Sequence, residues 1–264
     1  MDYDYKITKY PRTPHLEGSR LQDGDYDLSQ VPFSDILGKH VVVEEKVDGA
    51  NCAISFDGDG NLLIQSRGHY LVGGYRERHY NLLKAWANAN RDALWGALGN
   101  RYIMYGEWMY AKHTVFYDAL PHYFLEFDVL DRQTESFLDT PSRKAITNQI
   151  GGVCSVPVLA SGVFSKKQDV LKLLDKSCYI TPNCRATLAQ TAQSLGLNTE
   201  TIIAETDLTG QMEGLYVKVE EAGVVTNRVK FVRANFLQAN KAPTTDWQRR
   251  PIVPNQLATN TKKD

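Results

Sequence analysis

The sequence predicts an α+β fold with antiparallel sheets, and three observations carry that prediction. Val41-Val42-Val43-Glu44-Glu45-Lys46 is a β-branched run of the kind that suits a strand. Two further apolar runs flank Asp57-Gly58-Asp59-Gly60, residues that accept the positive φ of a tight hairpin turn. Helical patterning is confined to residues 79–98 and to much of residues 140–205.

The elements follow in order. Residues 1–40 are rich in turn formers, and Lys9-Tyr10-Pro11-Arg12-Thr13-Pro14-His15 reads as a rigid extended stretch held by two prolines. Strands are expected at Val41–Lys46, Cys52–Asp57 and Asn61–Ser66. Leu82, Leu83, Trp86, Leu94 and Leu98 recur at helical spacing and predict one amphipathic helix over His79–Leu98. Tyr102–Trp108 and Tyr123–Leu130 return to strand character. Thr140-Pro141 reads as an N-cap followed by proline at the first helical position. Ser165 with Gln168 resembles a capping box. Val156–Val163 interrupts the helical stretch, and Leu215–Glu220 with Val224–Arg233 predicts a second strand pair. Beyond Asn235 the chain turns polar, so the tail is expected to be loosely packed.

Composition narrows the function classes. Hydrophobic residues make up 42% and charged residues 23% of 264 positions, the balance of a globular chain with room for a substantial core. No apolar run reaches bilayer length and no signal-peptide pattern opens the chain, so neither a membrane partner nor secretion is expected. The four cysteines (Cys52, Cys154, Cys178, Cys184) form no CxxC pair, which disfavours zinc and a disulfide framework and fits a cytoplasmic setting. With 30 Lys plus Arg against 31 Asp plus Glu, broad binding to duplex phosphates is not expected.

Chemistry concentrates at Lys46-Val47-Asp48-Gly49. A lysine at the end of a strand, relieved of its proton by partial burial and nearby cations, is a competent nucleophile. Gly49 allows the backbone to approach a ligand closely. On its own such a lysine is most often a solvated surface group, and Asp48 a turn residue. The surroundings add a pattern. Lys46-Val47-Asp48-Gly49-Ala50-Asn51 resembles motif I of the covalent nucleotidyltransferases, the superfamily of ATP-dependent DNA and RNA ligases and mRNA capping enzymes, and Asn51 resembles most the RNA ligase 2 branch. Ser66-Arg67-Gly68 resembles motif Ia, Gly106-Glu107-Trp108 motif III, and Phe127 within Leu125-Glu126-Phe127-Asp128 motif IIIa. Glu213-Gly214-Leu215-Tyr216-Val217-Lys218 resembles motif IV, and Val229-Lys230-Phe231 motif V. The sequence departs from that branch at Val232, where a second motif V lysine is usual.

The resemblance implies an adenylyltransferase domain over residues 1–235, with antiparallel sheets flanking an ATP cleft, the insert 140–205 within it, a polar tail at 236–264 and no C-terminal oligonucleotide-binding barrel. It implies Lys46 as nucleophile, assisted by Lys218 and Lys230. ATP is expected to meet Glu45, Asn51, Arg67, Glu107, Phe127, Lys218 and Lys230. By residue type, Arg67 can fork onto a phosphate, Glu107 can accept from a ribose hydroxyl, and Phe127 can stack on adenine or simply fill core. Glu213 is expected as a hard oxygen ligand for magnesium, with manganese as a substitute and Asp48 as a second ligand. Arg12, His15 and Arg233 are candidate RNA contacts, with Arg20 beside them. The implied activity joins RNA 3′-OH and 5′-phosphate ends through a lysyl-AMP intermediate, in RNA repair, with a partner protein supplying end processing or positioning. A DNA nick ligase sharing the lysyl-AMP step and a non-catalytic RNA-end-binding module are the alternatives.

Overall fold

The computed structural model describes residues 6–21, 30–236 and 251–259. Its strands are β1 (His15–Leu16), β2 (Gln30–Val31), β3 (His40–Lys46), β4 (Ala50–Phe56), β5 (Leu62–Ser66), β6 (Tyr102–Trp108), β7 (Phe124–Asp131), β8 (Ser136–Phe137), β9 (Cys154–Ser155), β10 (Val158–Val163), β11 (Gly214–Glu221) and β12 (Val224–Val232). Its helices are α1 (Asn81–Ala89), α2 (Arg91–Leu98), α3 (Thr140–Thr147), α4 (Lys167–Leu171), α5 (Cys184–Ser194) and α6 (Thr199–Ala204). One sheet runs β10-β3-β11-β12-β1-β2 and the other β5-β4-β6-β7-β8, with β9 against β7. Most pairings are antiparallel; β1 with β12, β1 with β2 and β7 with β9 are parallel. The α+β expectation holds, and among the described residues neither sheet closes into a barrel.

Strand alternation explains the layering. On the first sheet Val41, Val43, Leu215, Val217, Val219, Val229 and Phe231 pack into one core with Leu16, Phe33 and Val170. On the second, Cys52, Ile54, Phe56, Met104 and Trp108 pack against Leu83, Ala87, Leu94 and Leu98 of α1 and α2. The remaining faces look at each other. Between them lie Tyr10, Ala53, Ile103, Tyr105 and Leu130, and a group of buried charges. Arg143 of α3, fully buried, bonds Glu126 of the second sheet (3.0 Å) and Glu44 of the first. Lys218 of β11 likewise bridges Glu44 (2.9 Å) and Asp128 (3.0 Å).

Four local expectations are corrected. The helix over His79–Leu98 is a 3₁₀ turn, Tyr75–Tyr80, followed by α1 and α2. The break falls at Asn90, whose amide donates to the Trp86 carbonyl (2.8 Å), a side-chain bond that competes with helix continuation. Asp139, not Thr140, caps α3, accepting from the Ser142 N–H (2.9 Å); Thr140 instead donates from its N–H and hydroxyl to Glu220. No side chain caps α4, whose N-cap is Lys166 rather than Ser165. The described part of the tail, residues 251–259, is docked. Asn255 is fully buried, donating to the Met109 carbonyl (2.6 Å) and accepting from the Tyr117 N–H (2.9 Å), and Val253 joins the Phe116, Cys184 and Leu188 cluster. The rest of the tail expectation, residues 237–250 and 260–264, lies outside the described residues. No described helix is long and apolar enough to cross a membrane.

Candidate active site

Lys46 ends β3 in the first sheet, and β4 begins the second sheet at Ala50. Val47–Gly49 is therefore the crossover from one sheet to the other. A Cβ on Gly49 would lie 2.7 Å from Met109 Sδ, 2.8 Å from the Trp108 carbonyl and 2.9 Å from Glu107 Cγ, so the crossover passes too close to β6 for any side chain. At its mouth the two sheets part around a cavity of about 300 Å³.

Lys46, Glu45, Asn51, Arg67, Glu107, Phe127 and Lys230 all line this cavity, although they come from five strands and a turn. Register explains the convergence. Lys46 pairs with Gly214, which sets Glu213 beside it; the Lys46 ammonium lies 2.6 Å from a Glu213 oxygen. Asn51 pairs with Glu107 across β4 and β6. Lys230 pairs with Tyr216 across β12 and β11, on the face that carries Lys46. Phe127 and Tyr216 reach the cavity from opposite sheets.

The electrostatics are those of one amine among several carboxylates. Burial pushes the Lys46 pKa down, but Glu213, Asp48 and Glu107 more than offset it, so the amine is held in its charged form. Burial pushes Glu107 up to about 8; Lys46 opposes that, while Glu213 and Asp48 add to it. Glu213, Asp48 and Glu107 thus set hard oxygen atoms around one amine, a donor type that suits a divalent cation. Among the described residues no three His, Cys, Asp or Glu side chains form a ready cage, so such an ion would draw most of its ligands from phosphates and water. Glu213 and Glu107 fit that arrangement.

Asp48 has a further role. One of its oxygens accepts from the Thr114 N–H (2.7 Å) and the Val115 N–H (2.8 Å), and its own N–H donates to the Tyr117 hydroxyl (2.9 Å). It ties the loop after β6 to the crossover. Glu45 lines the cavity but turns its buried carboxyl away, accepting weakly from Cys178 Sγ at 3.9 Å; burial pushes that carboxyl up to about 7.

Three expected contacts are corrected. Lys218 is fully buried in its ion pairs with Glu44 and Asp128 and also donates to the Phe127 carbonyl; it joins the sheets beneath the cavity instead of facing a triphosphate. His15 is fully buried in β1, its Nδ1 2.7 Å from Ser19 Oγ. Arg233 is buried against Asp207, the Asn235 side chain (3.0 Å) and the Met212 carbonyl (2.9 Å). Neither presents its charge to an RNA end. Arg20 donates to the Ala234 carbonyl (3.2 Å). Arg12 is exposed between Pro11 and Thr13, both cavity residues.

The sequence reading missed Tyr10, Thr13, Glu44 and Tyr216, which also line the cavity. Glu44 and Tyr216 were within reach, because alternation from Lys46 and from Gly214 sets them on the same face. Tyr10 meets its partner Asp128 across 118 residues, a contact that no local pattern announces.

The fold has counterparts. Residues 39–232 match the model of a family described as RNA ligase, and the chain belongs to that family. Among solved structures, a Naegleria gruberi RNA ligase point mutant with ATP and manganese superposes with a TM-score of 0.53 at 16% identity, covering 86% of this chain and 56% of that one. A second mutant of the same ligase, with AMP and manganese, gives the same values. A third, with ATP and manganese, gives 0.51 at 14% identity, covering 86% and 61%. At these identities the likeness is one of fold. The chain spans less than two thirds of the length of those ligases. A search of curated protein sequences returned no match.

Proposed function

We propose that the chain is an ATP-dependent RNA ligase that works through a lysyl-AMP intermediate. The observation that carries this reading is the convergence of Lys46, Glu107, Arg67, Phe127 and Lys230 on one cavity between two sheets, in a chain of the RNA ligase family. The solved relatives contain ATP or AMP with manganese, which supports a nucleotide and a divalent cation as the ligands here, magnesium serving as well as manganese.

In this reading the base stacks on Phe127 and the ribose meets Glu107. Lys230 and Arg67 hold phosphates, and Asn51 lies alongside. Lys46, its ammonium proton passed to solvent, attacks the α-phosphorus in line with the β-phosphate; the P–N bond forms, the P–O bond breaks, pyrophosphate leaves, and the new phosphoramidate nitrogen sheds its second proton to solvent. A divalent cation, held in part by Glu213, would supply positive charge for the phosphates and reduce the hold of Glu213 on the Lys46 proton. An oxygen of an RNA 5′-phosphate then displaces Lys46 from the AMP, and the amine regains a proton. A 3′-hydroxyl finally attacks the activated 5′ end and releases AMP. Rejoining broken RNA is the role this chemistry suits, with a partner protein delivering processed ends.

The test is intact-mass spectrometry after ATP and magnesium, followed by nicked substrates with RNA or DNA at the 3′-OH strand. The expected result is a gain of one AMP, absent in Lys46→Ala, and sealing that requires RNA. No AMP on a folded, nucleotide-stripped protein would sink the ligase reading. Equal sealing of all-DNA nicks would move the substrate to DNA.

A further inference from the structure

The segment from Thr8 to His15 crosses from one sheet to the other at the cavity. The Thr8 carbonyl accepts from Gln65 Nε2 and from the Tyr105 hydroxyl, each at 2.9 Å, in the second sheet. The Pro14 carbonyl accepts from the Lys230 N–H (3.0 Å) in the first. Pro11 and Pro14 favour the extended form between these anchors. Tyr10 is driven down between the sheets and is only 7% exposed. Its ring meets Phe127 edge to face, 5.0 Å between centroids at 80°. Its hydroxyl donates to Asp128 and lies 2.8 Å from the Tyr216 hydroxyl, which lies 2.7 Å from Thr13 Oγ1.

Phe127 needs such a support. Tyr105 pairs with Asp128 and Gly106 with Glu126, so Phe127 is the extra residue of a β-bulge. A bulged residue has no cross-strand partner to set its direction. Its carbonyl accepts from Lys218, and its ring lies against Tyr10. We propose that Tyr10 is a positioning residue for the nucleobase subsite: it fixes the Phe127 ring, and the crossing segment thereby becomes part of the nucleotide site. This rests on the nucleotide reading above.

The experiment measures AMP charging of the full chain against ATP concentration for wild type, Tyr10→Leu and Tyr10→Phe, with inorganic tripolyphosphate as a competitor that has no base. Tyr10→Leu should raise the half-saturating ATP about fivefold, the scale of one lost aromatic pair. Its maximal rate should stay within about twofold and its tripolyphosphate inhibition should not change. Tyr10→Phe keeps the ring and should stay within about twofold of wild type throughout. If the Leu variant fails to fold, Tyr10→Met takes its place. Wild-type half-saturation in Tyr10→Leu, equal weakening toward tripolyphosphate, or Tyr10→Phe as impaired as Tyr10→Leu would each overturn the inference and leave the ligase reading standing. A wild-type protein that neither charges nor binds ATP would instead overturn the nucleotide reading, and this inference with it.

Discussion

Lys46 sits in a contradiction that its neighbours create. A nucleophilic amine must be neutral, yet Glu213, 2.6 Å away, together with Asp48 and Glu107 holds it protonated against the opposing effect of burial. If Lys46 is the nucleophile, single-turnover charging should rise with pH by up to about tenfold per unit until the amine is neutral. Glu213→Gln should move that rise to lower pH and raise the metal concentration needed for half-maximal rate; a flat pH profile in wild type would argue against a protonated resting lysine. Glu45 gives a prediction about stability. Burial raises its pKa from 4.5 to about 7 in the folded protein, so the folded state binds the proton more tightly than the unfolded state. The stability from this group is complete below about pH 4.5 and is lost as pH rises through 7. Glu45→Gln should therefore flatten the fall in Tm between pH 5 and 7.5, and at pH 7.5 should be more stable than wild type by about 1–3 kcal/mol. Parallel Tm profiles for the two proteins would refute it.

Among the elements, β11 has the least freedom. A Cβ on Gly214 would lie 1.9 Å from the Phe231 carbonyl, so Gly214→Ala must push β11 from β12 and, through the Gly214–Lys46 pairing, disturb the Lys46–Glu213 contact. Thermal melting should show a loss of at least about 2 kcal/mol, with AMP charging reduced as well; an unchanged Tm would mean that the strand pair tolerates the methyl. α3 is tied in by charge. Arg143→Met would leave Glu44 and Glu126 buried without their common partner, although Lys218 remains near Glu44 and Ser155 near Glu126. Urea titration should register a cost of about 3–5 kcal/mol, and less if either carboxylate takes up a proton. These elements also mark what could be read in advance. The long strands of both sheets were legible because Val41–Val43 is a β-branched run and the residues around Asp57–Gly60 follow turn chemistry, whereas the two-residue strands β1, β2, β8 and β9 carry no such signal. Of the cavity residues, Lys46, Glu45, Asn51, Arg67, Glu107, Phe127 and Lys230 were legible as types in order along the chain, and Tyr10, Thr13, Glu44 and Tyr216 were not. The Asn90 break, the Asp139 cap and the Phe127 bulge were not, since each depends on a side-chain bond or a register shift that periodicity does not encode. Lys218, His15 and Arg233 were misread for a related reason: residue type announces charge, but only the fold decides whether a partner such as Asp128 or Asp207 neutralises it.

For the whole molecule, the question is whether two sheets with separate cores behave as one unit. Each sheet has its own apolar cluster on its outer side, which alone would allow independent unfolding. Three links oppose that. Arg143 bonds Glu44 and Glu126, Lys218 bonds Glu44 and Asp128, and the segment through Tyr10 is anchored to both sheets. All lie in the buried interface, where removing one partner leaves a desolvated charge or hydroxyl, so separating the sheets costs more than a surface ion pair would suggest. We therefore expect residues 1–235 to unfold in a single transition. The tryptophans make this testable. Trp86, Trp95 and Trp108 all pack on the second sheet, and Trp247 lies outside the described residues. Tryptophan fluorescence therefore reports mainly one half, while far-ultraviolet circular dichroism reports both. In urea the two signals should give one coincident midpoint. On the proposed nucleotide reading, saturating ATP should move both together by about 2–3 kcal/mol at a hundred times its Kd. A fluorescence transition displaced from the dichroism transition, or a nucleotide shift seen by one probe only, would show that the sheets unfold separately and that the residues joining them do not couple the two halves.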